Sequence, residues 1–303
     1  MAVRSTHVKL RNQLKIFSPM LKGQDFNTTY QPTWCPGCGD FGIWTALKTA
    51  LDELQLDPHN VVVVYGIGCS GNMANNVKTY AFHGLHGRPI PVAEGIKLAN
   101  HDLTVIIIAG DGDTYGEGMN HFISSIRGNH DVTLIVHDNQ VYGLTTGQTS
   151  PTSEKGFKTK STPGGVIEEP VNPVSLALSA GASFIARGFS GDTTQLTDLI
   201  KKGIQHKGFA LVDTLQPCVT FNKINTFQWF YRRVYHVEKE GYIPNDWNKA
   251  MAKAREMERM ATGVLYVRER PSYHASLPVL EKGPLVKQPL DGIDISKIYK
   301  DFV

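Results

Sequence analysis

No apolar run in this chain of 303 residues approaches the roughly 20 residues needed to cross a bilayer, so no membrane span is expected. Net charge is also scarce: 31 Lys and Arg stand against 28 Asp and Glu, a formal balance of +3. So small an excess gives neither nucleic acid nor a membrane surface a claim as main partner. Internal repeats and low-complexity tracts are missing. The opening residues, MAVRSTHVKLRNQLKIF, lack an apolar signal core with a small-residue cleavage site, which makes a cytoplasmic protein the expectation. Cysteines number only four, and in a reducing compartment they are expected as ligands or redox groups before disulfides. What is present is the composition of a folded protein, 41% hydrophobic and 19% charged, long enough for a large α/β core.

Short runs rich in Val and Ile recur at Val61–Tyr65, Leu103–Ala109, Val132–Val136, Ser183–Ala186 and Phe209–Thr214. Their nearly continuous apolar character predicts strands buried on both faces of a parallel sheet. Helical segments are expected between them at 89–100, 116–128, 173–181 and 192–206. An earlier helix, capped by Asp40, would present Ile43, Trp44, Leu47, Leu51 and Leu54 inward. The alternation predicts a doubly wound α/β domain with ligands at the carboxyl ends of its strands. The expected divisions are an N-terminal arm (1–34), the α/β domain (35–218) and a C-terminal extension that contacts other subunits (219–303). Residues 145–172 form a long Gly/Pro/Thr/Ser stretch expected as an ordered functional loop. The tail after 271 holds several prolines and is expected to be extended and to wrap a neighbour.

The cysteines are spaced C-x2-C-x30-C-x148-C, at Cys35, Cys38, Cys69 and Cys218. Each lies just beyond an apolar run or in a Gly/Pro-containing loop, where a fold presents ligands to a common point. Four thiolates are the usual complement of an iron–sulfur cluster.

A second constellation begins where the run Leu103–Ala109 enters Gly110-Asp111-Gly112-Asp113, and closes where Val132–Val136 enters His137-Asp138-Asn139. Parallel strands would bring Asp111 and Asn139 to one sheet edge despite the 27 residues between them. A carboxylate, an amide oxygen and the carbonyl of Val141 form a hard oxygen set suited to Mg²⁺ that also holds phosphate oxygens. Gly110, Gly112 and Gly116 would let backbone approach those phosphates, and a helix starting near Gly116 would add N–H donors.

Gly-Asp-Gly with its later Asn resembles the thiamine diphosphate signature. Trp34-Cys35-Pro36-Gly37-Cys38-Gly39, Gly66-Ile67-Gly68-Cys69-Ser70-Gly71, His86-Gly87-Arg88 and Cys218 narrow the match, over residues 30–240, to one family. Together they resemble the beta subunit of 2-oxoacid:ferredoxin oxidoreductases. The resemblance implies thiamine diphosphate, Mg²⁺ and one 4Fe-4S cluster. Cys35, Cys38, Cys69 and Cys218 would hold the cluster, and Asp111, Asn139 and the Val141 carbonyl the Mg²⁺. It puts Gly68, Ser70, Gly110, Gly112, Asp113 and Thr145 beside the diphosphate, with His86 and Asn72 as candidate catalytic residues. The implied reaction is coenzyme A-dependent decarboxylation of a 2-oxoacid, or its reverse, with single electrons passed to ferredoxin; the lean is to 2-oxoglutarate, then pyruvate. One α/β unit is half of a thiamine site, so an alpha subunit is implied, in an (alpha-beta)2 assembly.

Other readings of the same residues stay open at this stage. The cysteines also suit structural zinc, or a dithiol at Cys35 and Cys38 ahead of a helix. Asp111 and Asn139 occur commonly as turn residues. At the level of function, the rivals are a thiamine lyase or transferase without electron transfer, and a non-catalytic metal-bound scaffold.

Overall fold

The computed structural model describes residues 26–292 and 294–302, so the expected N-terminal arm lies outside the described residues as far as residue 25. Among the described residues eight strands form one sheet: β1 (Val61–Tyr65), β2 (Tyr80–His83), β3 (Thr104–Gly110), β4 (Thr133–Asp138), β5 (Phe184–Phe189), β6 (Ala210–Leu215), β7 (Val234–His236) and β8 (Met260–Val267). Their order is β2-β1-β3-β4-β6-β5-β8-β7. The pairings from β2 across to β5 are all parallel, and β8 runs antiparallel to β5. The expected doubly wound, mainly parallel sheet is what the chain forms.

Burial on both faces explains the continuous apolar runs. In β1, Val61, Val63 and Tyr65 face one core and Val62 and Val64 the other. The first core is covered by α1 (Asp40–Glu53) and α5 (Thr193–Gln205), the second by α2 (Pro89–Ala99), α3 (Met119–Gly128), α4 (Pro173–Ala180) and α7 (Trp247–Ala254). A short α6 (Phe227–Tyr231) precedes β7. Each fully buried Val, Leu or Ile contributes about 1.5–3 kcal/mol, so these stripes decide which face each helix takes.

Several expectations change. The apolar pattern does not announce β2, β7 or β8. The segment expected as a C-terminal extension supplies two of them to the common sheet. Asp40 does not cap α1; Gly39 stands at the N-cap without a side-chain bond, and Asp40 is the first helical residue, fully buried. The helix expected from Gly116 starts earlier, as a wide π-turn over Gly112–Glu117 that leads into α3. The tail after 271 lies first on its own chain: Tyr273 stacks on His130 at 4.3 Å and His274 on His101 at 5.4 Å. Among the described residues no helix is long and apolar enough to cross a membrane.

Candidate functional site

The carboxyl ends of β1, β3 and β4 open onto one cleft, because Gly110 pairs with His137 and Tyr65 with Ile108 in register. Gly68, Cys69, Ser70, His86, Gly110, Asp111, Gly112, Asp113, Asn139, Val141 and Thr145 line it. The parallel register thus joins the sequence-predicted residues of both turns with Cys69. Asn72 is the exception: it sits half-buried on the 3₁₀ turn Ser70–Asn75 and is not among the residues facing the cleft. A larger groove of about 830 Å³ lies elsewhere, between α1 and α5, and none of the predicted site residues lines it.

The cleft floor is rich in carboxylates. Asp111 is 2% exposed and its Oδ2 accepts from the hydroxyls of Ser150 at 2.5 Å and Thr152 at 2.6 Å. Both donors come from the long 145–172 loop, which carries no helix or strand. Thr152 Oγ1 also lies 2.8 Å from Asp138 Oδ1. A hydroxyl has one proton to give. Burial, then the charges of Asp213 and Asp111, push the Asp138 carboxyl well above the ordinary carboxylate range, so Asp111 and Asp138 share the single Thr152 hydroxyl. Burial likewise raises Asp111, and it raises Asp213 to about 6 although Tyr115 and Arg187 stand beside that group.

Asp113 spends Oδ1 on the backbone N–H groups of Gly87 at 2.8 Å and Ile67 at 3.3 Å, while its buried Oδ2 has no hydrogen-bond partner. It therefore ties the two glycine loops to the π-turn. Its carboxyl too is raised, chiefly by burial. His86 stands at the mouth, with Nδ1 3.1 Å from Glu117 Oε2 and Nε2 3.7 Å from Asp113 Oδ1. The hydroxyl of Tyr142 donates to the same Glu117 carboxylate at 3.2 Å.

The glycines of this segment have a reason different from the expected one. A Cβ on Gly112 would stand 2.1 Å from the Tyr142 ring, and one on Gly116 2.7 Å from its hydroxyl. At those two positions it is the tyrosine, lying flat on the π-turn, that requires glycine. On Gly110 the nearest atom would be Ser70 Oγ at 3.8 Å, which leaves open space toward the cleft.

The four cysteines are unpaired; Cys35 is exposed, Cys38 and Cys218 are buried and Cys69 is half-buried. A Cβ on Gly143 would lie 3.6 Å from the sulfurs of both Cys69 and Cys218, so both sulfurs border that glycine. Burial, then the charges of Asp40, Cys218 and Cys35, push the Cys69 thiol up to about 12. The indole N–H of Trp34 donates to the Cys69 carbonyl at 2.7 Å and fixes that loop. Among the described residues, no three or more His, Cys, Asp or Glu side chains converge on a single-ion site.

Sequence reasoning missed the pair that separates these two regions. His137 Nδ1 lies 2.6 Å from Asp40 Oδ1, with both side chains essentially inaccessible. Since a carboxylate only accepts, Nδ1 carries the proton. The other nitrogen, Nε2, is buried without a partner, and His137 lines the cleft. Ninety-seven positions separate the two residues, and no local spacing encodes the contact.

Residues 59–214 match the family described as thiamine pyrophosphate enzyme, C-terminal TPP binding domain. Residues 218–282 match the family of C-terminal regions of the pyruvate ferredoxin oxidoreductase beta subunit. The chain is 45% identical over 277 residues to 2-oxoacid:ferredoxin oxidoreductase 2, subunit beta, of Aeropyrum pernix, covering 88% of this chain and 90% of that one. It is 48% identical over 235 residues to the 2-oxoacid:ferredoxin oxidoreductase subunit beta of Saccharolobus solfataricus, covering 77% and 76%. Among solved structures it resembles the 2-oxoglutarate:ferredoxin oxidoreductase from Magnetococcus marinus with 2-oxoglutarate, coenzyme A and succinyl-CoA bound. There the TM-score is 0.86 and the identity 36%, over 92% of this chain and 95% of that one.

Proposed function

This chain belongs to the beta subunits of the thiamine diphosphate-dependent 2-oxoacid:ferredoxin oxidoreductases, and from that premise we propose that its cleft activates a 2-oxoacid beside a 4Fe-4S cluster. The reaction is coenzyme A-dependent oxidative decarboxylation to an acyl-CoA, or its reverse, with electrons leaving singly to ferredoxin. The observation that carries this reading is the position of Cys69, which lines the same cleft as Asp111 and Asn139 while its sulfur and that of Cys218 both border Gly143.

The donor chemistry fits the cofactor. Asp111, the Asn139 amide and the Val141 carbonyl offer only hard oxygens, as Mg²⁺ requires. The buried and unpartnered Ser70 Oγ and Asp113 Oδ2 are polar atoms left for a ligand, and Gly68 and Thr145 line the same wall. A divalent cation here would favour the ionised form of Asp111 and Asp113, against the burial that raises both carboxyls. Bound in this cleft, thiamine diphosphate supplies a carbon nucleophile and an electron sink.

The chain's own residues then divide the work. Ser150 and Thr152 hold Asp111 in one orientation, and Asp113 fixes the loops of Ile67 and Gly87 around the cleft. His86, steadied by Glu117, faces the cleft mouth, where it can hold a proton near the substrate. The four unpaired thiols suit a cluster, which takes one sulfur per iron and so spreads its ligands around a volume. As a beta subunit, the chain implies an alpha subunit as its partner. We assign to that partner the grip on the aminopyrimidine ring and most of the coenzyme A contact.

The substrate is proposed as 2-oxoglutarate before pyruvate. The support is the solved relative holding 2-oxoglutarate and succinyl-CoA.

Anaerobic purification with the co-expressed alpha subunit tests the reading. The expected product is a brown complex with stoichiometric iron, in which Cys69→Ala abolishes viologen reduction and leaves the fold intact. A colourless complex holding zinc would end the proposal. Full viologen reduction by the Cys69→Ala complex would remove the cluster from the electron path. Values of kcat/KM for 2-oxoglutarate and pyruvate decide the substrate.

A further inference from the structure

The sulfur of Cys38 has two polar neighbours of opposite character. The Asp40 carboxylate lies on one side, with Oδ2 at 3.2 Å, and the Gln216 amide on the other, its Nε2 donating at 3.3 Å. Both are buried, Asp40 at 0% and Gln216 at 1% exposure, so water screens neither contact. Each is also held in place by the fold. Asp40 is pinned through its other oxygen by His137, and Gln216 Nε2 lies 3.2 Å from the Pro217 carbonyl. A Cβ on Gly39 would stand 2.7 Å from Gln216 Cγ, so glycine at that position is what lets the amide lie so close to the cysteine loop.

In the thiol form Cys38 donates to Asp40. A cysteine bound to iron has lost that proton, and the carboxylate then stands against sulfur with no hydrogen between them. Reduction adds electron density to the cluster and its sulfurs; a fixed negative charge opposes this, and an N–H donor favours it.

We propose that Asp40 and Gln216 set the reduction potential of the cluster from opposite sides of Cys38, Asp40 holding it down and Gln216 holding it up. Both are positioning residues that act through the cysteine. The inference rests on the assignment of Cys38 to a cluster. It adds that the working potential is a balance struck within this one chain, ahead of any contribution from the alpha subunit or ferredoxin.

The test is a dithionite titration of the co-expressed complex, followed by electron paramagnetic resonance of the reduced cluster, with iron counted in each sample. Asp40→Asn keeps the shape and its oxygen can still accept from His137, while its NH2 replaces the carboxylate oxygen beside the sulfur; losing the charge and gaining an N–H act in the same direction, and the midpoint is expected to move positive. Gln216→Leu removes the donor, and the midpoint is expected to move negative. Midpoints that match the unaltered complex in both variants, or that move in the same direction, overturn the proposal. Should Gln216→Leu purify without iron, the Asp40→Asn shift alone decides: positive supports, zero or negative overturns. An unaltered complex without iron defeats the cluster assignment itself, an outcome distinct from an iron-loaded complex whose potential ignores both substitutions.

Discussion

Thr152 Oγ1 lies 2.6 Å from Asp111 Oδ2, so a loop that starts after β4 is tied to the carboxylate at the tip of β3. Through that contact the long loop bears on the carboxylate proposed above as a Mg²⁺ ligand. Thr152→Val keeps the volume and removes the hydroxyl. A hydrogen bond to a charged group is worth about 1.5–3 kcal/mol, which corresponds to a tenfold or greater loss of Mg²⁺–thiamine diphosphate affinity. Calorimetric titration of the cofactor-free complex measures it, and KM for the 2-oxoacid is expected to change much less. An unchanged cofactor affinity would mean that the loop merely rests on Asp111.

The Tyr142 ring against Gly112 gives a paired prediction. Gly112→Ala drives a Cβ into the ring and pushes the Asn139–Tyr142 turn off the π-turn. The expected result is a large loss of cofactor binding with a smaller loss of thermal stability. Combining it with Tyr142→Ala makes room for the methyl group and should recover part of the affinity. If the double variant binds no better than Gly112→Ala, the clash is not what matters at this position.

Helix α1 meets the turn that follows β5 almost backbone to backbone. A Cβ on Gly42 would stand 2.0 Å from the carbonyl oxygen of Ser190. Neither atom belongs to a movable side chain, so Gly42→Ala must shift the helix, at a cost of about 1–3 kcal/mol. Denaturant unfolding reads this directly. Because α1 begins at Asp40, beside Cys38, the same substitution is expected to lower iron content.

Buried Asp213 makes stability depend on pH. Its folded pKa of about 6 lies above the ordinary aspartate value of 3.8, so the folded state binds the proton more tightly than the unfolded chain does. Its stabilising protonation is therefore complete at the acid end of this window and is lost as pH rises toward 6. One such group gives a slope of up to about 1.4 kcal/mol per pH unit. The cofactor-free complex should melt at progressively lower temperature as pH climbs from 4 to 6. Asp213→Asn should flatten that slope, and a slope unchanged by the substitution would assign it to other groups.

Legibility of the chain followed its local physics. The Val and Ile runs of β1, β3, β4, β5 and β6 declared themselves because burial on both faces leaves no polar alternation to confuse them. β2 did not, since Tyr80–His83 is exposed throughout and lies at the edge of the sheet. β8 was hidden by Gly263, whose φ of +129° breaks the strand pattern, and by an irregular register against β5. At the site, Asp111 and Asn139 could be paired in advance because two parallel strands must end on the same side. Asp40 could not: an acidic residue opening a helix looks like a cap, and its true partner, His137, lies on a strand whose sequence gives no sign of it. Likewise Gly112 announced a close approach, but only the fold reveals the ring that makes it.

The reversal of β8 carries a practical consequence. Its last residues pair with the start of β5, so the polypeptide leaves the sheet at the end remote from Asp111 and Cys69. Arg268 bonds to Ser183 and Tyr273 to Asn129 along that underside. A fluorophore or an electrode tether attached after residue 268 would therefore hang from the back of the molecule. Probes can be anchored there without obstructing the cleft that Asp111 and Cys69 line.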